Sequence, residues 1–170
     1  IAYTAMEKPG YESDRRRLII YDRKSSGKKV LTESLDRSPG QIVWGPDGRR
    51  LFFTARDRGR RSLYRVNLEG EVTRLSHAGY NGSPDITPDG RSIIFTRSDN
   101  SNPTEIFSMP AGGGKARALT ETNSEALAGL ILPSLEEFTF TGAEDTEVHG
   151  FIQKPPQFDP ARKYPAVLTI

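Results

Sequence analysis

The sequence predicts an all-β fold: a partial β-propeller built from four-stranded blades, followed by the opening strands of a second domain. Three observations predict it. The segment Trp44-Gly45-Pro46-Asp47-Gly48-Arg49-Arg50-Leu51-Phe52-Phe53-Thr54 recurs as Ile86-Thr87-Pro88-Asp89-Gly90-Arg91-Ser92-Ile93-Ile94-Phe95-Thr96, so that Pro88 follows Pro46 by 42 residues. Leu63-Tyr64-Arg65-Val66 is matched by Ile106-Phe107-Ser108-Met109, and Thr73-Arg74-Leu75-Ser76 by Arg117-Ala118-Leu119-Thr120, at spacings of 43 and 44 residues. The 16 Gly and 12 Pro cut the chain into many short elements and oppose long helices. A four-stranded unit repeating every ~40–45 residues is the sequence signature of a propeller blade. The alternative is a β-sandwich whose hairpins happen to look alike. Three strand positions that keep register together favour the propeller.

The elements follow in order. Residues 1–32 fit the template as a partial blade, with Ile1-Ala2-Tyr3-Thr4, Leu18-Ile19-Ile20-Tyr21 and Lys29-Val30-Leu31-Thr32 as strands and a longer loop over 7–17. Complete blades are expected over 41–76 and 83–120. In each, Pro-Asp-Gly joins the first strand to the second: Pro sets φ, Asp caps the turn and Gly takes the positive φ. Runs such as Leu51–Thr54 and Ile93–Thr96 are β-branched and aromatic, as strands require. The second connections fall at 56–61 and 98–103, the third at 68–71 and 111–115. After Thr120 the template restarts, and residues 123–132 are expected to supply one further strand, but no Pro-Asp-Gly follows.

Composition then shifts, which places a domain border near Pro133, with 1–132 as propeller and 133–170 as the strands of a second domain. Glu136-Glu137-Phe138-Thr139-Phe140-Thr141 alternates like a strand, and Val148-His149-Gly150-Phe151-Ile152-Gln153 reads as its partner across a polar turn at 142–147. A Pro-rich connector over 154–160 leads to 164–170, an apolar run expected to form a strand buried on both faces. Propellers close at about 4–8 blades. Two complete blades and most of a third are therefore expected to belong to a longer polypeptide.

Charge and composition exclude several classes. There are 24 Lys+Arg against 22 Asp+Glu, a net charge of +2, whereas a dedicated nucleic-acid binder carries a strongly basic face. The arginines at 15–17 and at 56, 58, 60 and 61 are interrupted by Asp14 and Asp57 and read as solvated loops, so no nucleic-acid partner is expected. The longest apolar stretch, around 127–132, is far short of the ~18 residues of a membrane helix, and no membrane partner is expected. With no cysteine and only two histidines, disulfides and Cys nucleophiles are excluded, and neither a metal site nor a cofactor is expected.

The ordered motifs resemble a family. Blades carrying Pro-Asp-Gly are followed by Leu119-Thr120-Glu121-Thr122-Asn123, then Glu136-Glu137-Phe138-Thr139-Phe140-Thr141-Gly142, then Gly150-Phe151-Ile152-Gln153-Lys154-Pro155-Pro156 and Lys163-Tyr164-Pro165. This succession resembles the prolyl oligopeptidase family of serine peptidases, nearest its acylaminoacyl peptidase and dipeptidyl peptidase V branch. Pro9-Gly10-Tyr11-Glu12-Ser13-Asp14-Arg15 and Pro103-Thr104-Glu105-Ile106-Phe107 also resemble propeller segments of that branch. Pro-Asp-Gly alone is shared with TolB-type propellers. The turn Gly142-Ala143-Glu144-Asp145-Thr146 departs from the pattern, since relatives often place Asp-Gly there.

The resemblance implies a TolB-like propeller lying over an α/β-hydrolase domain whose first strands are residues 133–170. It also implies an exopeptidase acting on short peptides, with the propeller as a size-selecting gate. Short peptide substrates and the remainder of its own hydrolase domain are the implied partners. The oxyanion His-Gly-Gly and a nucleophilic Ser in Gly-x-Ser-x-Gly, followed by Asp and His, are expected beyond Ile170. No Gly-x-Ser-x-Gly occurs in this sequence, so no catalytic residue is assigned. A non-catalytic TolB-type propeller that binds a protein partner is the rival reading, and residues 134–170, which leave the blade period, favour the peptidase.

Other residues are of types that can carry chemistry. His149-Gly150 lacks the second Gly of an oxyanion dipeptide, because Phe151 follows, and His149 reads as a partly exposed strand residue. His77 falls in a solvated inter-blade loop. Gly112-Gly113-Gly114-Lys115 has Met109 and Ala116 where a phosphate loop needs Gly and Ser or Thr, so it reads as a hairpin turn. Glu136-Glu137 lies at the domain entry, and the paired-glutamate role of some dipeptidyl peptidases is not carried to it. Glu12 and Glu105 sit on second-to-third-strand connections, which emerge on one propeller face. Either is a candidate to receive a cationic peptide N-terminus, against capping its own loop or pairing with an Arg. Asn81-Gly82-Ser83 matches a glycosylation sequon.

Overall fold

The computed structural model describes residues 1–133 and 135–169. These form two compact units, Ile1–Glu125 and Ala126–Ile170, so the border expected near Pro133 lies inside the second. The first unit consists of three successive antiparallel meanders. The partial blade holds β1 (Ala2–Ala5), β2 (Arg17–Tyr21) and β3 (Lys28–Val30), paired in that order. The next holds β4 (Pro39–Trp44), β5 (Arg50–Asp57), β6 (Arg60–Asn67) and β7 (Val72–Arg74). The last holds β8 (Tyr80–Ile86), β9 (Ser92–Ser98), β10 (Glu105–Pro110) and β11 (Arg117–Ala118). A parallel Arg61–Tyr80 bridge links the latter two.

The repeat extends to individual hydrogen bonds. In the β4–β5 turn the Gly45 amide donates to the Arg50 carbonyl at 2.8 Å, the Gly48 amide to the Gly45 carbonyl at 3.0 Å, and the Arg49 amide to Asp47 Oδ1 at 3.0 Å. In the β8–β9 turn Thr87, Gly90 and Arg91 repeat this with Ser92, Thr87 and Asp89 at 3.0, 2.8 and 3.0 Å. Gly48 and Gly90 have φ of +65° and +70°, where a side chain would be strained. A second device closes each blade. The hydroxyl two residues beyond the last strand accepts an amide of the strand before it: Thr32 from Leu18 in β2 at 2.9 Å, Ser76 from Leu63 in β6 at 2.8 Å, and Thr120 from Ile106 in β10 at 2.9 Å. These hydroxyls satisfy amides that the short last strands leave unpaired.

The core explains the unbroken apolar run in β5. Successive strand residues face opposite sides, and both sides of this blade are covered. Leu51, Phe53 and Ala55 join Tyr64, Val66, Leu18 and Leu31 in one buried cluster toward the partial blade. Phe52 and Leu63 join Ile93, Phe95 and Met109 in a second, toward the following blade. Blades thus stack face to face through two cores, as a propeller requires.

The second unit holds the hairpin β12 (Leu135–Thr141) and β13 (Glu147–Gln153). Phe138 pairs directly with Gly150, and its ring covers the position a Cβ would occupy, an aromatic shielding of a strand glycine. The turn works without Asp-Gly because Glu144 and Asp145 themselves adopt φ of +55° and +54°.

Two expected strands are absent. Over 123–132 the chain forms α1 (Ser124–Leu127) instead, because Glu105 holds Asn123 and Ser124 donates to the Glu121 carbonyl, turning the backbone before extended pairing starts. Residues 164–169 form no strand, and Val167 and Leu168 are 93% and 84% exposed. A strand buried on both faces needs neighbours on its edges, and the β12–β13 pair does not extend to this run. Tyr164 instead packs on Phe158 at 5.1 Å and accepts the Asp159 amide at 3.1 Å, closing the Pro-rich connector into a local loop. Ile170, the last residue of that expected strand, and Ser134 lie outside the described residues.

Candidate functional site

A cleft of about 830 Å³ lies between the partial blade and its neighbour, within the ~300–1,000 Å³ range of small-ligand sites. The β1–β2 loop supplies Glu12, Asp14 and Arg16; the start of β4 supplies Ser38–Gln41; the junction of β5 and β6 supplies Arg56 and Arg61. Local chemistry fixes each wall. Asp14 Oδ2 accepts the amides of Glu7 and Lys8 at 2.6 and 2.9 Å, tying the long loop into a closed turn. The Lys8 amide, followed by the Glu7 amide and Arg17, holds the Asp14 carboxyl below its usual range against the opposing effect of desolvation.

The floor is a bulge. Register slips in β4 between Pro39 and Ile42, and in β8 between Gly82 and Asp85. Bulges re-aim backbone and side chains and recur beside functional sites. Here the two are tied together, since Gln41 Oε1 accepts the Ser83 amide at 2.8 Å. Sequence reasoning missed this feature. Its signal was available: Gly40 and Gly82 also stand 42 residues apart.

The structure separates the charged candidates. Arg15 donates to the carbonyls of Glu33 and Leu35, and Arg17 reaches Glu33 and Glu7 at 3.0 and 2.9 Å, leaving Arg16 exposed on the cleft. Asp57 receives Arg37 at 2.8 Å and Arg74 at 3.1 Å. Desolvation raises its pKa, but Arg37, then Arg74, hold it below the ordinary value. Glu12 is exposed in the cleft and forms no ion pair or hydrogen bond through its side chain among the described residues.

Glu105 is different. It accepts from the Thr120 hydroxyl, from Thr122 at 2.8 Å, and from the amide and side chain of Asn123 at 3.0 and 2.8 Å. Led by Thr120, and against desolvation, these bonds lower its pKa from 4.5 to about 2. It caps its own loop. A depressed folded-state pKa gives stability that is present above 4.5 and lost as pH falls toward 2. Acid unfolding of a Glu105→Gln variant followed by circular dichroism is therefore expected to depend less on pH across that window than the parent. Parallel profiles would remove the assignment.

The remaining candidates are placed plainly. His149 lies in β13, its Nε2 3.1 Å from Glu147 and its Nδ1 3.9 Å from Glu137. His77 is exposed. Gly112–Lys115 forms the β10–β11 turn, with Gly113 and Gly114 at φ of +95° and +136°. Glu136 pairs with Lys154 at 2.7 Å. The sequon Asn81 is 0% exposed, its side chain donating to the Arg61 and Ala78 carbonyls and accepting from Arg97. That side chain is not available for a glycan.

The all-β, blade-stacked fold agrees with what the chain resembles among known proteins. It is 31% identical to dipeptidyl-peptidase 5 of Schizosaccharomyces pombe over 173 residues, a match that covers the whole of this chain and 25% of that protein. Such relatives and structural neighbours support a place in the prolyl oligopeptidase family. Among solved structures, Pyrococcus horikoshii acylaminoacyl peptidase superposes with a TM-score of 0.74 at 22% identity, covering 91% of this chain and 23% of that one. A putative TolB from Agrobacterium tumefaciens superposes at 0.59 and 19% identity over 71% of this chain and 44% of its own, which agrees with the propeller fold of the blade unit. No protein-family model matches the chain. It spans about a quarter of the length of the curated family relatives it matches.

Proposed function

We propose that this chain is the blade-and-entry portion of a serine exopeptidase that releases dipeptides from short peptides, with the cleft receiving the peptide N-terminus at Glu12. The observation that carries the reading is Glu12 itself: a carboxylate with no side-chain partner among the described residues, in a cleft of peptide size. The likeness to dipeptidyl-peptidase 5 agrees with it. An unpaired carboxylate selects a free ammonium group over an acylated nitrogen, which sets dipeptide release above acyl-amino acid release. The stacked blades limit entry to extended chains, giving the size selection. Acyl transfer to a serine would be performed by residues this sequence does not contain, since no Gly-x-Ser-x-Gly is present.

The test uses the intact protein with chromogenic peptides that differ only in N-terminal acetylation. Free-amine substrates are expected to be preferred, and Glu12→Gln is expected to raise KM for them about tenfold, the loss of one charge-assisted bond, with little change for acetylated ones. Preference for the acetylated substrates would overturn the dipeptidyl reading in favour of acyl-amino acid release, and equal cleavage of both substrates by both proteins would remove Glu12 as the receiver of the N-terminus. Absence of any peptide hydrolysis would overturn the peptidase reading itself.

A further inference from the structure

We infer that Arg61, with Arg56 beside it, forms a carboxylate-binding fork for the peptide held in this cleft. The inference deepens the peptide-cleaving reading and rests on it. Arg61 is fixed on three sides. Its Nε donates to the Asn81 carbonyl while Asn81 Nδ2 donates back to the Arg61 carbonyl at 2.7 Å. Its guanidinium lies over the Tyr80 ring at 4.2 Å. Its Nη2 occupies the space that a Cβ on Gly82 would fill. The hydrogen bond and the ring contact use Nε and the π face. Neither Nη donates to an acceptor among the described residues, and no carboxylate there pairs with the cation.

The contrast with the other arginines is informative. Arg17 is neutralised by Glu33 and Glu7, and Arg37 and Arg74 by Asp57. Arg56 approaches the same Tyr80 ring at 5.9 Å, is exposed on the cleft, and has no carboxylate partner among the described residues. A planar, immobilised guanidinium with two free Nη groups matches the two oxygens of a carboxylate and loses little freedom on binding it. Glu12 in the same cleft disfavours a polyanion. A short peptide, with an ammonium group and a carboxylate, satisfies both signs. The carboxylate has two sources, the peptide C-terminus or an acidic side chain.

Calorimetry on the intact protein with hydrolysis-resistant, internally N-methylated tetrapeptides separates them. One pair is tetra-alanine as free acid and as amide; the other carries Glu or Gln at the third position, both as amides. In at least one pair the carboxylate form is expected to bind about tenfold or more tightly, the usual worth of a hydrogen bond to a charged group. The pair that discriminates names the source. Arg61→Ala is expected to abolish the preference, and Arg61→Lys to keep only part of it. Gly82→Ala retains every charge but displaces the fork, and is expected to lose the preference as well. Arg56→Ala, an exposed substitution that leaves the fold intact, is expected to weaken it. Equal binding within both pairs, or a preference that survives Arg61→Ala and Arg56→Ala, overturns the fork while leaving peptide binding standing. If no peptide binds, the peptide-cleaving reading falls and the fork with it.

Discussion

Phe53→Ala is expected to lower the stability of the blade unit by about 3–5 kcal/mol, the range for truncating a fully buried aromatic. Phe53 is 0% exposed and stacks on Tyr64 with ring centroids 5.4 Å apart and planes 11° from parallel. Its neighbours Leu18 and Leu31 come from the partial blade, and Val66 from its own. A cavity here therefore opens between two blades, where two sheets would have to shift together to close it. Domains are stable by only ~5–15 kcal/mol, so the loss is a large fraction of the whole. Denaturant unfolding followed through Trp44, the single tryptophan, reports on this unit. Phe138→Ala is the matched control, because Phe138 is 46% exposed on the hairpin and should leave the Trp44 transition unmoved. A loss below about 1 kcal/mol for Phe53→Ala would mean that the face between these blades is not a packed core.

What the sequence made legible follows from how local each determinant is. Pro46-Asp47-Gly48 and Pro88-Asp89-Gly90 specify their turns through φ restraint and an Asp-to-amide bond two residues on, so the tripeptides alone are enough. The Leu51-Phe52-Phe53-Thr54 run marks a strand because both its faces are buried. Residues 164–169 carry the same kind of run but form no strand, because a strand is completed by edge partners and not by its own composition. Glu12 and Glu105 are indistinguishable in sequence, each an acid on the same connection of its blade. They part in the structure because Thr120, Thr122 and Asn123, 15 to 18 residues downstream, fold back onto Glu105, whereas among the described residues no such group reaches Glu12. Arg61 was legible only as one member of a basic run. Its orientation depends on Tyr80, Asn81 and Gly82 in the next blade.

Asn81→Leu is expected to lower the stability of the same unit by about 2–4 kcal/mol, because leucine keeps much of the volume but strands at least two polar partners. The Asn81 amide group donates to the Arg61 carbonyl at 2.7 Å, the Ala78 carbonyl at 2.9 Å and Ser76 Oγ at 3.2 Å, and its Oδ1 accepts Arg97 Nε at 2.8 Å. Water can replace the bond at Ala78, which is exposed, but not readily those in the interior. The Arg97 guanidinium is the most sensitive partner. Burial pulls its pKa below the ordinary value, with Asp99 only partly offsetting it; the cation lies over Phe95 at 5.1 Å and Phe107 at 4.9 Å, and Asn81 is its side-chain acceptor. Gln41→Leu is the comparison, since it removes one inter-blade bond from an exposed side chain and should cost less than about 1 kcal/mol. Denaturation through Trp44 measures both. If Asn81→Leu proves as mild as Gln41→Leu, or if protein made in a glycosylating host carries a glycan on Asn81, this side chain does not organise the contact between the second and third blades, and the support it lends Arg61 is lost as well.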